Sequence, residues 1–495
     1  MRESVRPGGN YGRFVRRVEP VLRLTPRVHR LARPPVLGDA QTPTVPIEVM
    51  PETEAAADGL RRATASWVAI AEPGTRLAGL ALERLGQAIS LSPDATVITS
   101  DHDELIYGRR RNPTFKPGPS PELALCNELA GPLLCVRRDE AAAALQGEAP
   151  DALLQSLLLR LGGPDGGAHA HVPMVLAHCG RPRSEHGLAG VVRAVLRARG
   201  EARAVVEELG RGRLRVRRAV RREPSVEVIV PFRDRAELLD RVSAGVLRET
   251  AWDNLRLTLV DNGSEEAETR EVLERLRRDR RVRVCRDDGP FNFAALNNRA
   301  ARASDADYVL FLNNDVEVLE PGWIEDLLEE AQRREIGAVA PLLLYPDGTV
   351  QHSGAALGLH GYAGHPFAGL QPDKRTAFGS AAQGTRNWLA VTAACLLTAR
   401  SKFDAVGGFD ERFVVAGNDV DLCLRLLAAG YRSICVPYAR LIHDEGRSRG
   451  EHIDPGDFAA SERSYGEFRT VGDPYYNPNL TLCRTDCSLR RPDEL

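Results

Sequence analysis

The chain has 495 residues, more than one ordinary hydrophobic core accommodates, so two or three domains are expected. Hydrophobic residues make up 43% and charged residues 27% of the sequence, which is typical of a globular protein in water. The formal net charge of −2 excludes a whole-protein field that would draw the chain to nucleic acid or anionic lipid. We therefore expect no nucleic-acid partner.

Cysteine usage and hydropathy narrow the class of protein further. The nine cysteines are scattered without paired CxxC motifs, which argues against a disulfide framework or a structural zinc site. The first residues lack the apolar core of a signal peptide, and no run of about 18 apolar residues follows. The cytoplasm is the expected location, with peripheral contact at the inner face of the plasma membrane as an open alternative.

The first half of the chain has weaker periodicity than the second. Residues 1–60 are rich in Pro and Arg and are interpreted as an extended segment. Residues 61–210 form a predicted α/β domain. Its predicted elements are a strand at Trp67–Ala71, a helix at Leu77–Ile89, a strand at Thr96–Thr99, a loop at Arg109–Pro121, and helices at Glu140–Leu161 and Leu188–Glu208. The arginine-rich residues 211–223 are interpreted as a solvated linker, contact with anionic lipid head groups being the alternative.

Residues 224–450 form a second predicted domain, and residues 451–495 are expected to be a tail. The predicted strands are Val226–Val230, Leu255–Val260, Val282–Cys285 and Tyr308–Leu312, and the helices are Ala236–Glu249, Glu265–Arg278, Phe293–Ala303 and Trp323–Arg333. This alternation predicts an α/β fold with a mostly parallel sheet covered by helices on both faces. In such sheets, ligands bind at the carboxyl ends of the strands.

Three of these strands end in polar residues. The first runs into Pro231-Phe232-Arg233-Asp234, the second into Asp261-Asn262-Gly263-Ser264, and the fourth into Asn313-Asn314-Asp315. An Asp at a strand end can accept hydrogen bonds from a base or ribose, or bind a hard cation. Asp261 alone is more typical of an ordinary turn, but three polar strand ends in one sheet favour a ligand site.

A further helix is predicted to begin near Asn418. The spacing i, i+3, i+4, i+7 of a buried helix face is followed by Val420, Cys423, Leu424 and Leu427. Asn418 suits the N-cap, and Asp419 and Asp421 fall in the first turn, where the helix dipole favours negative charge. From the helix start alone, capping and catalytic roles for these carboxylates are equally open.

The chain from Val226 to Gly450 resembles the inverting glycosyltransferases of family 2, which have the GT-A fold. The matching segments, in family order, are IVPFRDR, LVDNGS, DDGPFNFAALNNRA, YVLFLNNDVEVLEPGW, LLLYPDGTVQHSG, VTAACLLTAR, GGFDERF, GNDVDLCLRLLAAGY and IHDEGRSRG. The segment DPYYNPNL is also similar to the tails of bacterial rhamnosyltransferases and O-antigen enzymes. The resemblance implies a UDP- or dTDP-sugar donor, dTDP-rhamnose being one candidate, and a hydroxyl acceptor on a surface polysaccharide or lipid-linked glycan.

The resemblance also implies roles for the strand-end residues. Asp261 would bind the nucleotide base, with Pro231 and Arg233 lining the same pocket and Asp287 beside them. The segment Asn313-Asn314-Asp315 takes the place of the DXD element, which contacts the donor diphosphate. In it Asp315 would bind Mg²⁺ or Mn²⁺. The first acid of that element is Asn here, which lowers the local negative charge.

Two later residues match the catalytic part of the family. Asp419 occupies the place of the catalytic base, although Asn418 replaces the Glu that often precedes it. His443 matches a histidine that helps to hold the metal or the diphosphate in related enzymes. These residue types suit the chemistry, because a cation neutralises charge on the departing diphosphate and a carboxylate takes the proton of the attacking hydroxyl.

The first half resembles a degenerate transferase domain. Part of that likeness lies in Tyr11, Glu19-Pro20, Ser100-Asp101-His102-Asp103-Glu104 and Phe115-Lys116-Pro117. Aligning Trp67–Ala71 with Tyr308–Leu312 places Gly74 opposite Asp315, with only Glu72 nearby, so the metal carboxylate is missing. This half is expected to pack against the catalytic half or to dock a partner.

Several alternatives compete with this interpretation. In the first half, Asp101, Asp103 and Glu104 are an alternative candidate for a second metal site, whereas His169 and His171 are expected to have a surface or packing role and not to bind a ligand. A catalytically inactive scaffold that organises other transferases is an alternative function for the whole chain. A nucleotidyltransferase would need a Gly-rich, Lys-containing loop after the first strand, where this sequence has Pro231-Phe232-Arg233-Asp234-Arg235.

Overall fold

The structure is a computed structural model that describes residues 45–145, 152–180, 187–444 and 455–494. The chain divides into two compact units. The first unit comprises Met1–Arg217, Arg375–Gly379 and Val471–Leu495, and the second comprises Arg218–Lys374 and Ser380–Thr470. Residues 1–44, which include the likeness at Tyr11 and Glu19, and residues 445–450 of the last family segment lie outside the described residues.

This division differs from the expected domain boundaries at several points, one of which is Arg375–Gly379, inside the expected second domain but part of the first unit. The first unit extends to Arg217, through most of the run interpreted as a linker. The residues expected to form a separate tail are shared between the units, because those up to Thr470 belong to the second and those from Val471 belong to the first. Contacts distant in sequence set this division, so the local pattern did not indicate it.

The described residues of the first unit form seven sheet strands, a separate hairpin and six α-helices. Its strands are β1 Ile47–Pro51, β2 Trp67–Ala71, β3 Arg76–Leu77, β4 Val97–Ile106, β5 Arg109–Thr114, β6 Leu133–Arg137, β7 His169–Cys179, β8 Val205–Gly210 and β9 Arg213–Arg217. Its helices are α1 Ala57–Arg62, α2 Ala81–Leu91, α3 Pro121–Cys126, α4 Arg138–Ala144, α5 Leu153–Leu161 and α6 Leu188–Ala198.

The main sheet of the first unit has the order β1-β2-β6-β4-β7-β3, and β5 pairs with β4. Strands β1 and β2 are parallel, as are β4 and β7, whereas β6 runs antiparallel between β2 and β4. Alternate residues of β2 enter two different cores: Val68 and Ile70 enter one, Trp67 and Ala69 the other. The sheet is therefore covered on both faces.

Several predictions for the first half were wrong. The predicted loop at Arg109–Pro121 contains β5, and the predicted helix from Leu188 ends at Ala198 before β8 begins. The predicted helix from Glu140 to Leu161 is two helices, α4 and α5, with residues 146–151 outside the described part.

The middle of the arginine-rich run is a strand and not a linker. It forms β9, which pairs with β8, and Leu214 and Val216 are buried between exposed or half-buried arginines. The alternation Arg-Leu-Arg-Val-Arg has the period of two that a strand requires. This periodicity indicated the structure of the run better than its positive charge did.

The second unit contains twelve strands and eight helices among its described residues. Its strands are β10 Val226–Phe232, β11 Leu255–Asp261, β12 Val282–Arg286, β13 Tyr308–Leu312, β14 Val316–Val318, β15 Ile336–Leu344, β16 Val350–His352, β17 Ala356–Leu357, β18 Ala363–Gly364, β19 Arg386–Trp388, β20 Cys395–Ala399 and β21 Arg432–His443. Its helices are α7 Ala236–Arg248, α8 Ala267–Leu276, α9 Phe293–Arg302, α10 Trp323–Ala331, α11 Arg400–Ala405, α12 Asn418–Ala428, α13 Pro455–Tyr465 and α14 Phe468–Val471, the last residue of which falls in the first unit.

The sheet of the second unit has the order β12-β11-β10-β13-β20-β15-β21-β14. The first four strands of that order are parallel, which confirms the arrangement predicted for them. Strand β20 then runs antiparallel between β13 and β15, and β15 is parallel to β21. The carboxyl ends of β10, β11 and β13 therefore meet at one edge, where the polar residues were predicted to gather.

The two sheets repeat one topology. In chain order, the strands β1, β2, β3, β4, β5, β6 and β7 correspond to β10, β13, β14, β15, β16, β20 and β21, with the same neighbours and directions. The described residues of the first unit contain no counterpart of β11 or β12, because residues 52–66 connect β1 to β2 directly. This topology supports the interpretation of the first unit as a reduced copy of the second.

Candidate functional site

The end of β11 is tied closely to its two neighbours in the sheet. Phe232 of β10 is paired in register with Asp261, and its carbonyl accepts a hydrogen bond from the Asn262 N–H at 2.8 Å. Asp261 is buried, and its Oδ1 accepts the Ser264 N–H at 2.8 Å. Its Oδ2 accepts a hydrogen bond from Arg286 Nη1, also at 2.8 Å. The Asp261 carboxylate thus connects the end of β11 to the turn at Ser264 and to the end of β12.

Arg286 was not predicted as a site residue. It is the last residue of β12, its side chain is half exposed, and it also bonds Asp288 and the Ser264 carbonyl. The hydrogen bond to Asp261, followed by that to Asp288, raises the pKa of Arg286 above its ordinary value. Arg286 therefore stays charged and places hydrogen-bond donors beside the acceptor Asp261.

The remaining predicted residues of this corner lie on β10 or directly after β10 and β12. Asp287 donates its backbone N–H to the Asp261 carbonyl at 2.8 Å, and its carboxylate is ion-paired with Arg299. Pro231 is buried within β10, whereas Arg233 lies exposed just beyond the strand. Pro231, Asp261 and Asp287 therefore lie near one another at this edge of the sheet.

A second group of polar residues follows β13. Strand β14 pairs antiparallel with β21, and this register sets Val316 against His443. His443 Nε2 consequently lies 3.3 Å from Asp315 Oδ1 and 3.4 Å from Asn313 Nδ2. The side chains of Asp315 and His443 are almost wholly buried, and Asn314 is buried beside them.

This pair fits part of the coordination shell of a divalent cation. Neighbouring ligands in an octahedral Mg²⁺ site, with bonds of about 2.1 Å, lie about 3 Å apart, close to the separation of Asp315 Oδ1 and His443 Nε2. Within the described residues, no group of three His, Cys, Asp or Glu side chains could hold a metal ion. The two residues would therefore need oxygens from a bound substrate and from water to complete a site, which is the ordinary situation for Mg²⁺ at phosphates.

Helix α12 presents Asp419 to the same edge. The N-cap is Gly417, with φ +85°, and not Asn418, whose side chain instead donates to the Val415 carbonyl at 3.1 Å. Asp419 Oδ2 accepts the Ala393 N–H at 3.0 Å, while the Ala394 carbonyl accepts the Asn313 N–H at 2.9 Å. The adjacent residues Ala393 and Ala394 thus hold the Asp419 carboxylate and the end of β13 next to each other.

The two acids of this helix have different environments. Asp421 is buried, forms an ion pair with Arg425 at 2.8 Å and accepts the Ser464 hydroxyl at 2.7 Å. Asp419 is only half buried, and its hydrogen bonds come from backbone N–H groups. The geometry therefore separates a structural carboxylate from one that can reach a ligand. The buried face also differs from the predicted one, since Leu422 and Leu426 are buried while Leu424 and Leu427 are half exposed.

Asp457 is a further residue that the sequence did not indicate. It lies in α13 and is 1% exposed, and its carboxylate accepts the N–H groups of Val414, Val415 and Ala416 at 2.6, 2.9 and 2.8 Å. These residues lead directly into α12 and Asp419. A Cβ on Gly417 would lie 2.6 Å from the Tyr465 hydroxyl, so α13 also requires glycine at this point.

His352 is another residue that the sequence did not indicate as part of the site, although it lies within the matched segment LLLYPDGTVQHSG. It is wholly buried, and its Nε2 accepts the Gly354 and Thr392 N–H groups at 3.1 and 3.4 Å. Burial, reinforced by nearby His365 and His443, holds the pKa of His352 well below its ordinary value. His352 is therefore a neutral acceptor that fixes the backbone next to Ala393, which in turn binds Asp419.

The polar residues singled out in the first unit form a buried hydrogen-bond network. Asp101 accepts the Lys116 N–H at 2.9 Å and contacts His171 Nε2 at 3.1 Å, and Thr99 Oγ1 lies within 2.9 Å of both His169 and His171. Burial, followed by the charges of His171 and Lys116, lowers the pKa of His169 to about 3. These histidines pack within the unit, as was predicted.

The positions of the first unit that correspond to Asp315 and Asp419 carry no carboxylate. Helix α5 corresponds in topology to α12, and its first turn has no acidic residue. Leu154, the second residue of α5 as Asp419 is the second residue of α12, is buried. Gly74 stands at the position of Asp315, with φ +80° and nothing within 4 Å of its would-be Cβ.

Comparison with known proteins identifies the family. The sequence profile of glycosyl transferase family 2 matches residues 227–387. The O-antigen biosynthesis protein RfbC of Myxococcus xanthus is 40% identical over 433 residues, which cover 84% of this chain and 34% of that protein. The N-acetylglucosaminyl-diphospho-decaprenol L-rhamnosyltransferase of Mycobacterium tuberculosis (strain CDC 1551 / Oshkosh) is 33% identical over 233 residues, 41% of this chain and 70% of that protein. The chain belongs to glycosyl transferase family 2.

The family assignment confirms the GT-A class that the resemblance implied. The chain spans about a third of the length of RfbC, and an alignment of 433 residues is longer than the second unit, so it includes residues of the first. Among solved structures, the chain is similar to the mannosyltransferase PcManGT from Pyrobaculum calidifontis in complex with GDP-Man and Mn²⁺, at 17% identity and a TM-score of 0.37, covering 50% of this chain and 68% of that one. No described helix is long and apolar enough to cross a membrane.

Proposed function

We propose that the second unit transfers a sugar from a nucleoside diphosphate donor to a hydroxyl acceptor with inversion at the anomeric carbon. The observation that carries the proposal is the link through Ala393 and Ala394, which holds Asp419 beside the strand end that carries Asp315. Single displacement needs a base on one side of the sugar and charge stabilisation at the leaving diphosphate on the other. Asp419 and the pair of Asp315 and His443 supply residues of these two kinds.

The metal site is proposed at Asp315 and His443. A bound Mg²⁺ or Mn²⁺ would neutralise charge on the diphosphate as it departs. Asp315 and His443 would hold such a cation from one side and leave the other side open to diphosphate oxygens. Asn313 and Asn314 line the same strand end, and their uncharged amides leave a single carboxylate to balance the cation.

The base site is proposed at Asp261 and Arg286, with Pro231, Arg233 and Asp287 around it. The Asp261 carboxylate accepts hydrogen bonds and the Arg286 guanidinium donates them. The distance of 2.8 Å between Asp261 Oδ2 and Arg286 Nη1 places the two groups side by side. Uracil and thymine present the complementary pattern, an N–H beside carbonyl oxygens, and the edge of guanine is similar. Adenine and cytosine also place an amino donor beside an acceptor ring nitrogen, so this pair of groups does not by itself select the base.

A uridine or thymidine diphosphate sugar is the proposed donor, with dTDP-rhamnose as the first candidate. The rhamnose choice is supported by the printed activity of the mycobacterial relative, an L-rhamnosyltransferase. The proposed acceptor is a hydroxyl of a growing surface polysaccharide or of a lipid-linked glycan. That choice is supported by the names of the same relative and of the O-antigen biosynthesis protein.

The first test is the release of dTDP, UDP or GDP from candidate sugar donors by the purified full chain. Reactions contain Mn²⁺ or excess EDTA and a lipid diphosphate saccharide as acceptor, and the Asp315→Ala variant serves as the inactive control. We expect release with one nucleotide class, and only in the presence of the cation. Absence of release with every donor and acceptor would favour the scaffold alternative.

The first unit is proposed to be non-catalytic and to serve as a packing or docking domain. The described residues provide no counterpart of the base-binding strand β11, and Gly74 and Leu154 stand where Asp315 and Asp419 would be needed. Asp101 and Asp103 are engaged by hydrogen bonds from Lys116 and Arg110. These contacts support a structural use of the acids and not a second metal site.

A further inference from the structure

The hairpin of β4 and β5 ends in an exposed aromatic side chain. Ile106 and Arg109 are paired in register, so Tyr107 and Gly108 form the turn between them. Tyr107 is 100% exposed and Ile106 is 39% exposed. The described part of the chain therefore buries neither the ring of Tyr107 nor much of the Ile106 side chain.

The backbone of this turn is unfavourable for tyrosine. Tyr107 has φ +50° and Gly108 has φ +73°. A two-residue hairpin turn with positive φ at both central positions ordinarily contains Asn-Gly or Gly-Gly, because a bulky side chain is strained in the left-handed region. The protein thus holds an aromatic ring at a strained and fully exposed position, where no packing against the described residues offsets the strain.

The turn is also locally basic, in a chain whose overall charge is slightly negative. Residues 105–111 read Leu-Ile-Tyr-Gly-Arg-Arg-Arg and contain no acidic residue. Arg110 points to one side of β5 and bonds the buried Asp103 at 2.6 Å. Arg109 and Arg111 lie on the other side and form no salt bridge within the described ranges, and Glu104, opposite Arg111 in register, is bonded by Asn112.

We propose that this hairpin tip, residues 105–111, inserts into the head-group region of an anionic lipid bilayer. Tyrosine and isoleucine suit the boundary between acyl chains and water, and arginines beside them attract anionic head groups. A small ligand would need a concave site to bury most of its surface, whereas this tip is a convex turn. The inference is independent of the proposed function, although a membrane contact would suit a lipid-linked acceptor.

The test is co-sedimentation of the full chain with large unilamellar vesicles. Vesicles of phosphatidylcholine with phosphatidylglycerol are compared with vesicles of pure phosphatidylcholine at low and high salt. We expect binding to the anionic vesicles only, weakened by salt because the attraction is screened. Arg109→Gln and Arg111→Gln should each lower the partition coefficient about fivefold, the value of one arginine near an anionic surface.

Matched variants separate binding from folding. Tyr107→Asn should lower binding while leaving the thermal midpoint unchanged or higher, since asparagine tolerates positive φ. Arg203→Gln and Val205→Thr remove an exposed charge and an exposed apolar side chain elsewhere in the unit, and both should bind like the wild type. Absence of binding, equal binding to both vesicle types, or wild-type binding by the three hairpin variants would overturn the proposal. Binding to a soluble polyanion such as heparin, but not to vesicles, would do so as well.

Discussion

The side-chain amide of Asn477 donates a hydrogen bond to each carboxylate oxygen of Asp101, at 3.0 and 3.2 Å, across 376 residues of sequence. The same amide also donates to the Lys116 carbonyl at 2.9 Å, and Asn479 donates to the Pro173 carbonyl at 2.9 Å. The chain thus returns to the first unit after completing the second. The segment similar to rhamnosyltransferase tails is an internal part of the first unit.

We expect Asn477→Ala to destabilise the first unit by about 1.5–3 kcal/mol, the value of hydrogen bonds to a buried charged group. Asp101 is 0% exposed, so water cannot replace the lost donor without opening the structure. The measurement is the midpoint of the thermal transition assigned to the first unit, with donor binding by the second unit monitored separately. Arg491→Ala, an exposed change in the same segment, is the control and should leave the transition in place. An unchanged midpoint for Asn477→Ala would contradict a structural role for the returning segment.

We expect Asp315→Ala to lower transfer about a hundredfold or more, as removal of other groups that stabilise developing charge does. Asp315 supplies the one carboxylate of the proposed metal site, 3.3 Å from His443 Nε2. The measurement is initial rate against Mn²⁺ concentration for the wild type, Asp315→Ala and His443→Ala. Full turnover of the wild type in excess EDTA would exclude the proposed cation.

Asp419→Asn should bind the donor normally and transfer the sugar about 10²–10⁴-fold more slowly, the usual contribution of a general base. The amide keeps the size of the side chain and can still accept the Ala393 N–H, so the fold should be retained. Asp421→Asn is the matched control, and we expect it to affect stability more than rate because its carboxylate pairs with Arg425. A wild-type rate for Asp419→Asn would make Asp419 a structural residue of the helix start.

Local patterns predicted the second unit well and the first unit poorly. Strand Tyr308–Leu312 and helix Ala236–Arg248 follow clear periods, and the structure has them within one residue of the predicted bounds. The candidate residues Asp261, Asp315 and Asp419 could be located for the same reason, since each stands at the end of a regular element, but their proposed roles came from the family resemblance. Asp457 and Asn477 could not be located from the sequence, because their hydrogen-bond partners lie about 40 and about 380 residues away and no local spacing marks them.

Asp457→Asn tests the positioning role of helix α13. Three backbone N–H groups share the Asp457 carboxylate, and an amide retains one acceptor oxygen for them, so the loop before Asp419 should loosen. We expect kcat to fall about tenfold to a hundredfold, because a displacement of about 1 Å in catalytic geometry has effects of this size. Donor affinity should be unchanged, since Asp261 and Arg286 are not touched.

The split between kcat and donor affinity distinguishes positioning from general instability. Ser464→Ala removes a different contact between α13 and α12, the hydrogen bond to Asp421, and should have the smaller effect on kcat. Equal losses of kcat and of donor affinity in Asp457→Asn would indicate a general folding defect and contradict the positioning role.

The last prediction is that the first unit does not bind a nucleotide sugar. A fragment of residues 1–220 would be a poor reagent, because it lacks Asn477 and the buried Tyr475, Tyr476 and Leu480 that complete this unit. The better reagent is the full chain with Asp261→Ala and Asp315→Ala, which disables the proposed donor site of the second unit. We expect calorimetric titration of UDP and dTDP with Mn²⁺ to show saturable binding to the wild type and none to this double variant.

The physical reason is the missing part of the sheet. In the second unit the base is proposed to bind at the end of β11, and the described residues of the first unit connect β1 to β2 without such a strand. Gly74 offers no side chain for a cation, and a lone Glu72 cannot replace the water shell of Mg²⁺. Saturable, Mn²⁺-dependent binding by the double variant would reveal a second live site and overturn the assignment of the first unit as non-catalytic.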